Sequence, residues 1–363
     1  MLTSHLERLG LVCPACRAYG REAPRLDLGT MIRVDATPAG DDLIEGVLVC
    51  PACMREHPIL DGVVVAVANI ASWAEHQGDA VLRRHDLSPF TESMLGDALG
   101  RGGSFDKERH DLSTYGQAHW GDRAEADPLP AAGRMAELLA TAAATLPAPP
   151  AGVWLDAGCA VGRGSLELAA AGAELVVGVD LNMAMLRRAE HARRTGVVSW
   201  PRRRVGQVFD PGRATCTDLP RDRVAFVCAD LGILPFADAA FAGAMSLNVI
   251  DCVSSPVGHL AELGRVIVDG GAAVVTTPYD WATNASPMEQ WLGGHSQRGD
   301  HRGASEPELR RLLSPELATG IDTGLTIAAE KDDVWWYLTL NARATMHYRL
   351  HLLRLARTPR PPA

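Results

Sequence analysis

Between residues 150 and 280, short apolar runs alternate with segments whose apolar positions recur every three or four residues. The short runs predict strands, and the periodic segments predict helices. This alternation predicts an α/β fold built on a doubly wound parallel sheet. The predicted strands cover residues 153–156, 175–180, 224–228, 240–247 and 272–276, and the predicted helices cover residues 165–171, 183–194 and 257–268.

The remaining segments carry different patterns. The β-branched runs around Asp61-Gly62 are typical of a hairpin. Polar segments predict short helices near 78–86 and 89–98, and high helix propensity predicts another at 131–145. Near the C-terminus, residues 334–337 predict a strand, and the segment after residue 341 fits either a last strand or a helix. We predict a small domain at 1–75, a helical lid or linker at 76–145, the α/β domain at 146–357 and a flexible tail at 358–363.

Four of the eight cysteines form two Cys-Pro-Ala-Cys clusters, Cys13 with Cys16 and Cys50 with Cys53. Two such clusters can direct four thiolates at one centre, which is the ligand set of a tetrahedral structural Zn²⁺ site. A closed site of this kind stabilises a segment that is too small for a good core of its own. A redox pair or two unrelated turns remain the alternatives.

The charge balance limits the classes of partner. The chain has 35 Lys and Arg against 44 Asp and Glu, and therefore a net charge of −9, which disfavours nucleic acid as a partner. No apolar run approaches the roughly 18 residues that span a bilayer, so we expect no membrane partner. The N-terminal segment has no long apolar core of the secretory type, so we expect a cytoplasmic protein.

A glycine loop follows the first predicted α/β strand and opens a helix, in the order LDAGCAVGRG over residues 155–164. Glycines allow close approach of a ligand to the backbone, and a helix N-terminus presents free N–H groups. The spacing differs from the usual dinucleotide fingerprint, and Asp156 precedes the first glycine, where a pyrophosphate would be repelled. A cationic or amino-bearing ligand is therefore favoured.

Polar residues end the next three strands in the same way. Asp180 is placed to accept hydrogen bonds from ribose hydroxyls, and Asp230 and Asn248 end the third and fourth strands. The carboxyl ends of parallel strands share one edge of a sheet, where such folds bind ligands. Turn glycines with helix-capping aspartates remain the alternative interpretation.

Residues 150–280 resemble class I S-adenosylmethionine (SAM)-dependent methyltransferases. The resemblance implies a seven-stranded, Rossmann-like sheet with one antiparallel edge strand. It also implies that the loop surrounds the methionine part of SAM, that Asp180 holds the ribose and that Asp230 with Leu231 holds the adenine. One departure is Ala160, where many relatives have glycine. The predicted cofactor-binding residues are Asp156, Gly158, Cys159, Gly162, Gly164, Asp180, Leu181, Asp230, Leu231 and Asn248.

Two further resemblances are local. Residues 48–62 (LVCPACMREHPILDG) resemble the second half of the Trm-type methyltransferase-activator zinc ribbons, which implies that the N-terminal unit supports its own catalytic domain. Residues 113–122, 277–281 and 291–294 are similar to blocks of the 4-mercaptohistidine N-methyltransferases.

Aromatic and histidine side chains in those blocks predict the acceptor site. We expect Tyr115, His119 and Tyr279 to be catalytic, since a protonated acceptor needs a proton-accepting group nearby. The predicted substrate-binding residues are Trp120, Asn248, Trp281, Trp291 and His295. Core packing is the alternative for each aromatic residue.

Together these patterns predict a SAM-dependent methyltransferase with a structural Zn²⁺. Its expected acceptor is a small molecule or peptide, for example with an imidazole-like nitrogen. Two alternatives stay open: an RNA base methyltransferase that docks through the zinc unit, and a non-catalytic SAM-binding subunit that activates a partner.

Overall fold

The computed structural model describes residues 1–84, 87–124, 135–314 and 322–358. The strands are β1 (Asp27–Thr37), β2 (Gly40–Val49), β3 (Glu56–Leu60), β4 (Val63–Val65), β5 (Val153–Ala157), β6 (Leu175–Asp180), β7 (Val197–Val205), β8 (Val208–Thr215), β9 (Val224–Cys228), β10 (Phe241–Leu247), β11 (Ile267–Thr277), β12 (Leu325–Asn341) and β13 (Ala344–Arg357). The α-helices are α1 (Thr3–Leu9), α2 (Pro14–Ala18), α3 (Ile70–Leu82), α4 (Pro89–Leu99), α5 (Ser104–Trp120), α6 (Met135–Ala143), α7 (Arg163–Ala170), α8 (Met183–Thr195), α9 (Pro256–Val266) and α10 (Ser305–Leu312).

In the described part of the chain, eleven strands form one continuous sheet in the order β1-β2-β3-β4-β9-β6-β5-β10-β11-β13-β12. The seven strands from β9 to β12 form the predicted doubly wound, Rossmann-like methyltransferase sheet, and the predicted fold class is confirmed. The antiparallel strand, β13, lies one position in from the edge rather than at it. The reason is that β12 and β13 form a long hairpin whose second strand pairs with β11.

Alternating side chains of the central strands build one core on each face of the sheet. Trp154 and Val176 belong to the core under α3, α5, α6, α7 and α8. Their neighbours Leu155 and Val177 belong to the core under α9, α10 and the cysteine-bearing segment. Strands that are buried on both faces consist of continuous apolar runs. The bounds of these central strands could therefore be predicted closely from the sequence.

The N-terminal unit joins this sheet through its edge. The turn at Asp61 and Gly62 has positive φ angles of 53° and 87°, and it connects β3 to β4 as predicted. Strand β4 then pairs in parallel with β9, with Val64 opposite Val227. The N-terminal unit therefore extends the sheet of the α/β domain. The domain limits predicted from the sequence stay a prediction.

One helical prediction needs revision, and the choice left open after residue 341 between a strand and a helix is decided. The helix predicted at 78–86 begins at Ile70, because the Asn69 side chain accepts hydrogen bonds from the N–H groups of Ala71 and Ser72. The segment after residue 341 is a strand. The start of the helix predicted at 131–145 and the tail at 359–363 lie outside the described residues.

The polar insertion after α8 forms the two-stranded hairpin β7–β8, which packs against α5. Trp200 is buried beside Gly116, and its Nε1 donates to Gln117 Oε1 at 3.1 Å. This contact holds the C-terminal half of α5 in place over the sheet. None of the helices in the described ranges has the length and apolar character that a bilayer crossing requires.

Candidate active site

A cavity of about 510 Å³ opens at the carboxyl ends of β5, β6, β9 and β10. Side chains from α5, α6, β12 and β13 complete its wall. Five carboxylates line it, and none of the described lining residues is a lysine or arginine. These carboxylates belong to Asp156, Asp180, Asp230, Asp251 and Asp280. Such a lining attracts a cation and repels phosphate or carboxylate groups.

The glycine loop folds back on β6. The N–H groups of Gly158 and Cys159 both donate to Val179 O, at 2.8 and 3.0 Å. Gly158 has φ +82°, and a Cβ there would lie 2.3 Å from Val249 Cγ2, so only glycine fits. Gly164 lines the cavity, whereas Gly162 does not: a Cβ on Gly162 would meet Ala189.

Two buried carboxylates accept hydrogen bonds from this loop and from the helix that follows it. Asp156 Oδ2 accepts from Ser165 Oγ at 2.6 Å, and burial raises the pKa of Asp156 to about 7. Asp180 accepts from the N–H groups of Ala160 and Asn182, both at 2.9 Å, and burial raises its pKa. Ala160 adopts the left-handed region, at φ 46°, so the Asp180 hydrogen bond secures a strained residue.

The remaining predicted cofactor residues also reach the cavity. Asp230 Oδ1 accepts from Gly232 N–H at 2.8 Å, and Leu231 is buried beside it. Leu181 lines the opening and is 45% exposed. Burial raises the pKa of the Cys159 thiol, and the Asp180 and Asp156 carboxylates add to the rise, so this cysteine stays protonated. Asn248 has φ 58°, and its Oδ1 accepts from Thr276 Oγ1 at 2.9 Å.

The other end of the cavity is aromatic. His119 is buried, and its ring meets Trp336 edge to face at 5.9 Å. Burial, aided by the Arg163 charge, lowers the pKa of His119 to about 3, so its imidazole is neutral at pH 7 and a weak base. The Tyr115 ring lies 6.2 Å from that of His119, and burial raises its pKa. Both residues reach the cavity, as predicted from the sequence.

Sequence reasoning missed a second polar group at this end. Asp251 Oδ2 accepts from the N–H of Asp280 at 2.7 Å, and Asp280 Oδ2 accepts from Tyr348 Oη at 2.6 Å. Asp251 stands three residues after Asn248, and Asp280 directly follows Tyr279, so proximity to predicted residues could have found them. Tyr348 carries no local signal, because the β12–β13 hairpin brings it there.

Five predicted acceptor residues are not part of the cavity lining. Tyr279 has φ 57°, and its hydroxyl lies 2.7 Å from His351 Nδ1. The next residue, Asp280, lines the cavity instead. Trp281 and Trp291 stack on each other at 6.1 Å. The last two are Trp120, which is buried and donates to Val161 O at 3.1 Å, and His295, which is exposed. These five residues therefore lie outside this cavity, and their assignment to a substrate chamber stays a prediction.

The four paired cysteines form a compact cluster in the N-terminal unit, and Cys13, Cys16 and Cys50 are buried. Cys13 Sγ lies 3.7 Å from Cys53 Sγ, and Cys16 Sγ lies 3.8 Å from Cys50 Sγ. A tetrahedral Zn²⁺ with Zn–S bonds of about 2.3 Å requires sulfur separations of roughly 3.8 Å. All four sulfur atoms lie within 4.8 Å of one another, so the cluster can hold zinc.

Comparison with family models identifies both parts of the chain. Residues 155–275 match a family described as a methyltransferase domain. The chain contains a class I SAM-dependent methyltransferase domain. Residues 11–62, which include all four paired cysteines, match the family described as Trm112p-like protein. The methyltransferase domain thus carries a Trm112p-like unit on the β9 side of its sheet.

Individual relatives of the methyltransferase domain are distant. A 24-methylenesterol C-methyltransferase 2 from Oryza sativa subsp. japonica is 28% identical over 201 residues, which are 53% of this chain and 47% of the relative. The chain thus spans about half the length of this curated relative.

Two solved structures are also similar. One is described as a complex between the Haloferax volcanii Trm112 methyltransferase activator and the putative methyltransferase; it has TM-score 0.39, 18% identity, and coverage of 61% of this chain and 88% of that one. The other is magnesium protoporphyrin IX methyltransferase from Synechocystis PCC 6803 with bound SAM, with TM-score 0.39, 17% identity, and coverage of 76% and 100%.

Proposed function

We propose that the protein transfers the methyl group of SAM to a small-molecule or peptide acceptor, at a heteroaromatic nitrogen such as that of an imidazole. The observation that carries this proposal is the convergence of Asp156, Asp180 and Asp230 on one cavity without a basic residue among its described lining. SAM brings a sulfonium cation, an ammonium group and ribose hydroxyls, and all of these favour carboxylate partners.

Within this proposal, one end of the cavity binds SAM and the other end binds the acceptor. Asp156 with the loop from Gly158 to Gly164 receives the methionine part of SAM. Asp180 accepts from the ribose hydroxyls, and Asp230 with Leu231 receives the adenine. The aromatic end, with Tyr115 and His119, receives the acceptor and excludes water, so that the acceptor atom is aligned with the methyl group. Gly162 supports the loop through helix packing alone.

The Trm112p-like unit acts as a structural support. We propose that Cys13, Cys16, Cys50 and Cys53 hold one Zn²⁺, a closed site that takes no part in the reaction. Support for this role comes from the pairing of β4 with β9, because Asp230 follows β9 by two residues. A stable N-terminal unit therefore fixes the strand that positions the proposed adenine ligand.

An RNA acceptor is less well supported. The run from Arg202 to Arg204 lies on β7, and both Arg202 and Arg204 face Asp210 on the partner strand of the hairpin. This pairing reduces the positive charge available to phosphates, and the cavity itself is acidic.

Methyl-labelled SAM tests the proposed function. The protein is incubated with labelled SAM and a fractionated lysate, and label is counted separately in small molecules, peptides and proteins, RNA and lipids. We expect label in small molecules or peptides, on nitrogen by mass analysis. Label in RNA would support the docking alternative, and label in lipids would point to a carbon acceptor. SAM binding without transfer to any fraction would support a non-catalytic subunit. The Asp180→Asn variant is the negative control.

A further inference from the structure

The crossover from β9 to β10 carries the proposed adenine residues and has no regular element of its own. Residues 229–240, all of which the structure describes, contain neither a helix nor a strand. Asp230 and Leu231 begin this segment and line the cavity. The backbone of such a segment is not fixed by a helix or a sheet ladder, so contacts from other elements must hold it in one conformation.

Helix α9 supplies such contacts from three positions spaced three residues apart, His259, Glu262 and Arg265. Glu262 Oε2 accepts from Leu234 N–H at 2.7 Å, and Arg265 Nη1 donates to Phe236 O at 2.8 Å. Helix positions with this spacing are neighbours on the helix surface, which is why these side chains reach the same segment. The later part of the crossover is therefore fixed by two charged side chains of α9.

The first part of the crossover is held by His259, which is fully buried. Its Nδ1 lies 3.5 Å from Leu231 O, and its Nε2 lies 2.9 Å from Ser246 Oγ on β10. A carbonyl oxygen can only accept, so Nδ1 carries the proton and Nε2 accepts from the serine hydroxyl. Burial lowers the pKa of His259 to about 4, so the ring is neutral at pH 7 and Nε2 is free to accept. The imidazole therefore joins β10 to the backbone of the proposed adenine site.

We propose that His259 is a positioning residue that sets the preference of this site for the amino group of adenine. It acts through Leu231 O, because that contact fixes the backbone next to Asp230 and hence the place of the Asp230 carboxylate. This inference rests on the proposed function, in which Asp230 and Leu231 receive the adenine. A carboxylate distinguishes an N–H group from a carbonyl oxygen best when its position is fixed, since a hydrogen bond weakens steeply with poor distance and angle.

The test compares two ligands that differ at one position of the purine, S-adenosylhomocysteine and S-inosylhomocysteine. The second has an oxygen in place of the amino group, so it cannot donate a hydrogen bond there to Asp230. Binding of each ligand to the full chain is measured by calorimetry, and the ratio of the two dissociation constants is the readout. We expect the wild type to prefer S-adenosylhomocysteine about 10- to 150-fold, because one hydrogen bond to a charged group is lost with the other ligand. A general loss of stability affects both ligands alike and leaves this ratio unchanged.

Variants separate positioning from support of the fold. His259→Leu should reduce the preference at least fivefold, since the contact with Leu231 O is lost. His259→Asn should keep the preference within twofold of the wild type, because its amide can place an N–H group near the position of Nδ1. Ser246→Ala should reduce the preference in the same direction but less, and it decides if His259→Leu does not fold. His191→Leu, at an exposed position of α8 outside the cavity, is the control and should match the wild type.

The two proposals fail in different ways. A wild type that binds neither ligand would show that the proposed function is wrong, and the inference with it. A wild type that binds both ligands equally would overturn the inference, because Asp230 then does not recognise the amino group. If the wild type prefers S-adenosylhomocysteine and the preference stays within twofold in both His259→Leu and Ser246→Ala, only the inference about His259 is wrong.

Discussion

Replacing Asp180 by asparagine should weaken SAM binding while leaving the chain folded. The carboxylate also stabilises the unliganded structure, because each of its oxygens accepts one backbone hydrogen bond, from Ala160 N–H and from Asn182 N–H, at 2.9 Å. Asparagine keeps one oxygen and loses the charge. It therefore separates the proposed ribose contact from support of the loop better than alanine does.

The magnitudes follow from these contacts. Loss of one charge-assisted hydrogen bond to the ribose costs about 1.5–3 kcal/mol, which raises the dissociation constant for SAM about 10- to 150-fold. In the unliganded protein, one buried N–H loses its partner, at a cost of about 1–3 kcal/mol. Burial raises the pKa of Asp180, so removal of the charge recovers part of that cost. Asp180→Ala leaves both N–H groups unpaired and should lose about twice as much stability.

Calorimetric titration with SAM measures the affinity, and denaturant unfolding without ligand measures the stability of the same variants. Asp300→Asn is the matched control, since it removes an exposed carboxylate outside the cavity. A dissociation constant for Asp180→Asn within twofold of the wild type, with normal unfolding, would show that Asp180 does not hold the ribose.

Three further predictions test the supports of the site. Arg193 is buried, and its Nη2 lies 2.6 Å from both Asp42 and Glu190, so Arg193→Leu should cost about 3–5 kcal/mol in denaturant unfolding. The exposed pair of Arg8 with Glu174 is its control, and Arg8→Leu should cost at most about 1 kcal/mol; equal losses would contradict the buried network. Gly158→Ala should abolish SAM binding, whereas Gly102→Ala, with a similar φ of +84° but open space, should preserve it; retained binding by Gly158→Ala would argue against a tight loop. Elemental analysis of the protein should find one Zn²⁺ per chain. Removal of the zinc by chelation or by Cys50→Ser should first increase hydrogen exchange in the N-terminal unit and in β9. A zinc-free chain of full stability would refute the site.

Several features of the fold were predictable because they depend on local patterns. Strand β6 (Leu175–Asp180) and strand β9 (Val224–Cys228) coincide with the predicted bounds, since apolar runs between turns are typical of strands buried on both faces. The hairpin at Asp61-Gly62 follows from the positive φ angles that these residue types tolerate. The position of Trp281 and Trp291 outside the cavity was not predictable in this way, because residue type predicts burial of an aromatic ring but not which surface buries it.

The amino-acid sequence by itself determined the alternation of strands and helices, the glycine loop, the carboxylates at the strand ends and the paired cysteines. Each of these depends on residue type and short-range spacing. The tertiary structure alone decided that β4 joins β9, that Asp280 rather than Tyr279 faces the cavity, and that Tyr348 reaches Asp280 across 68 residues. These outcomes depend on strand register and on a single positive φ, and no local pattern fixes either, because both are selected by the packing of distant segments.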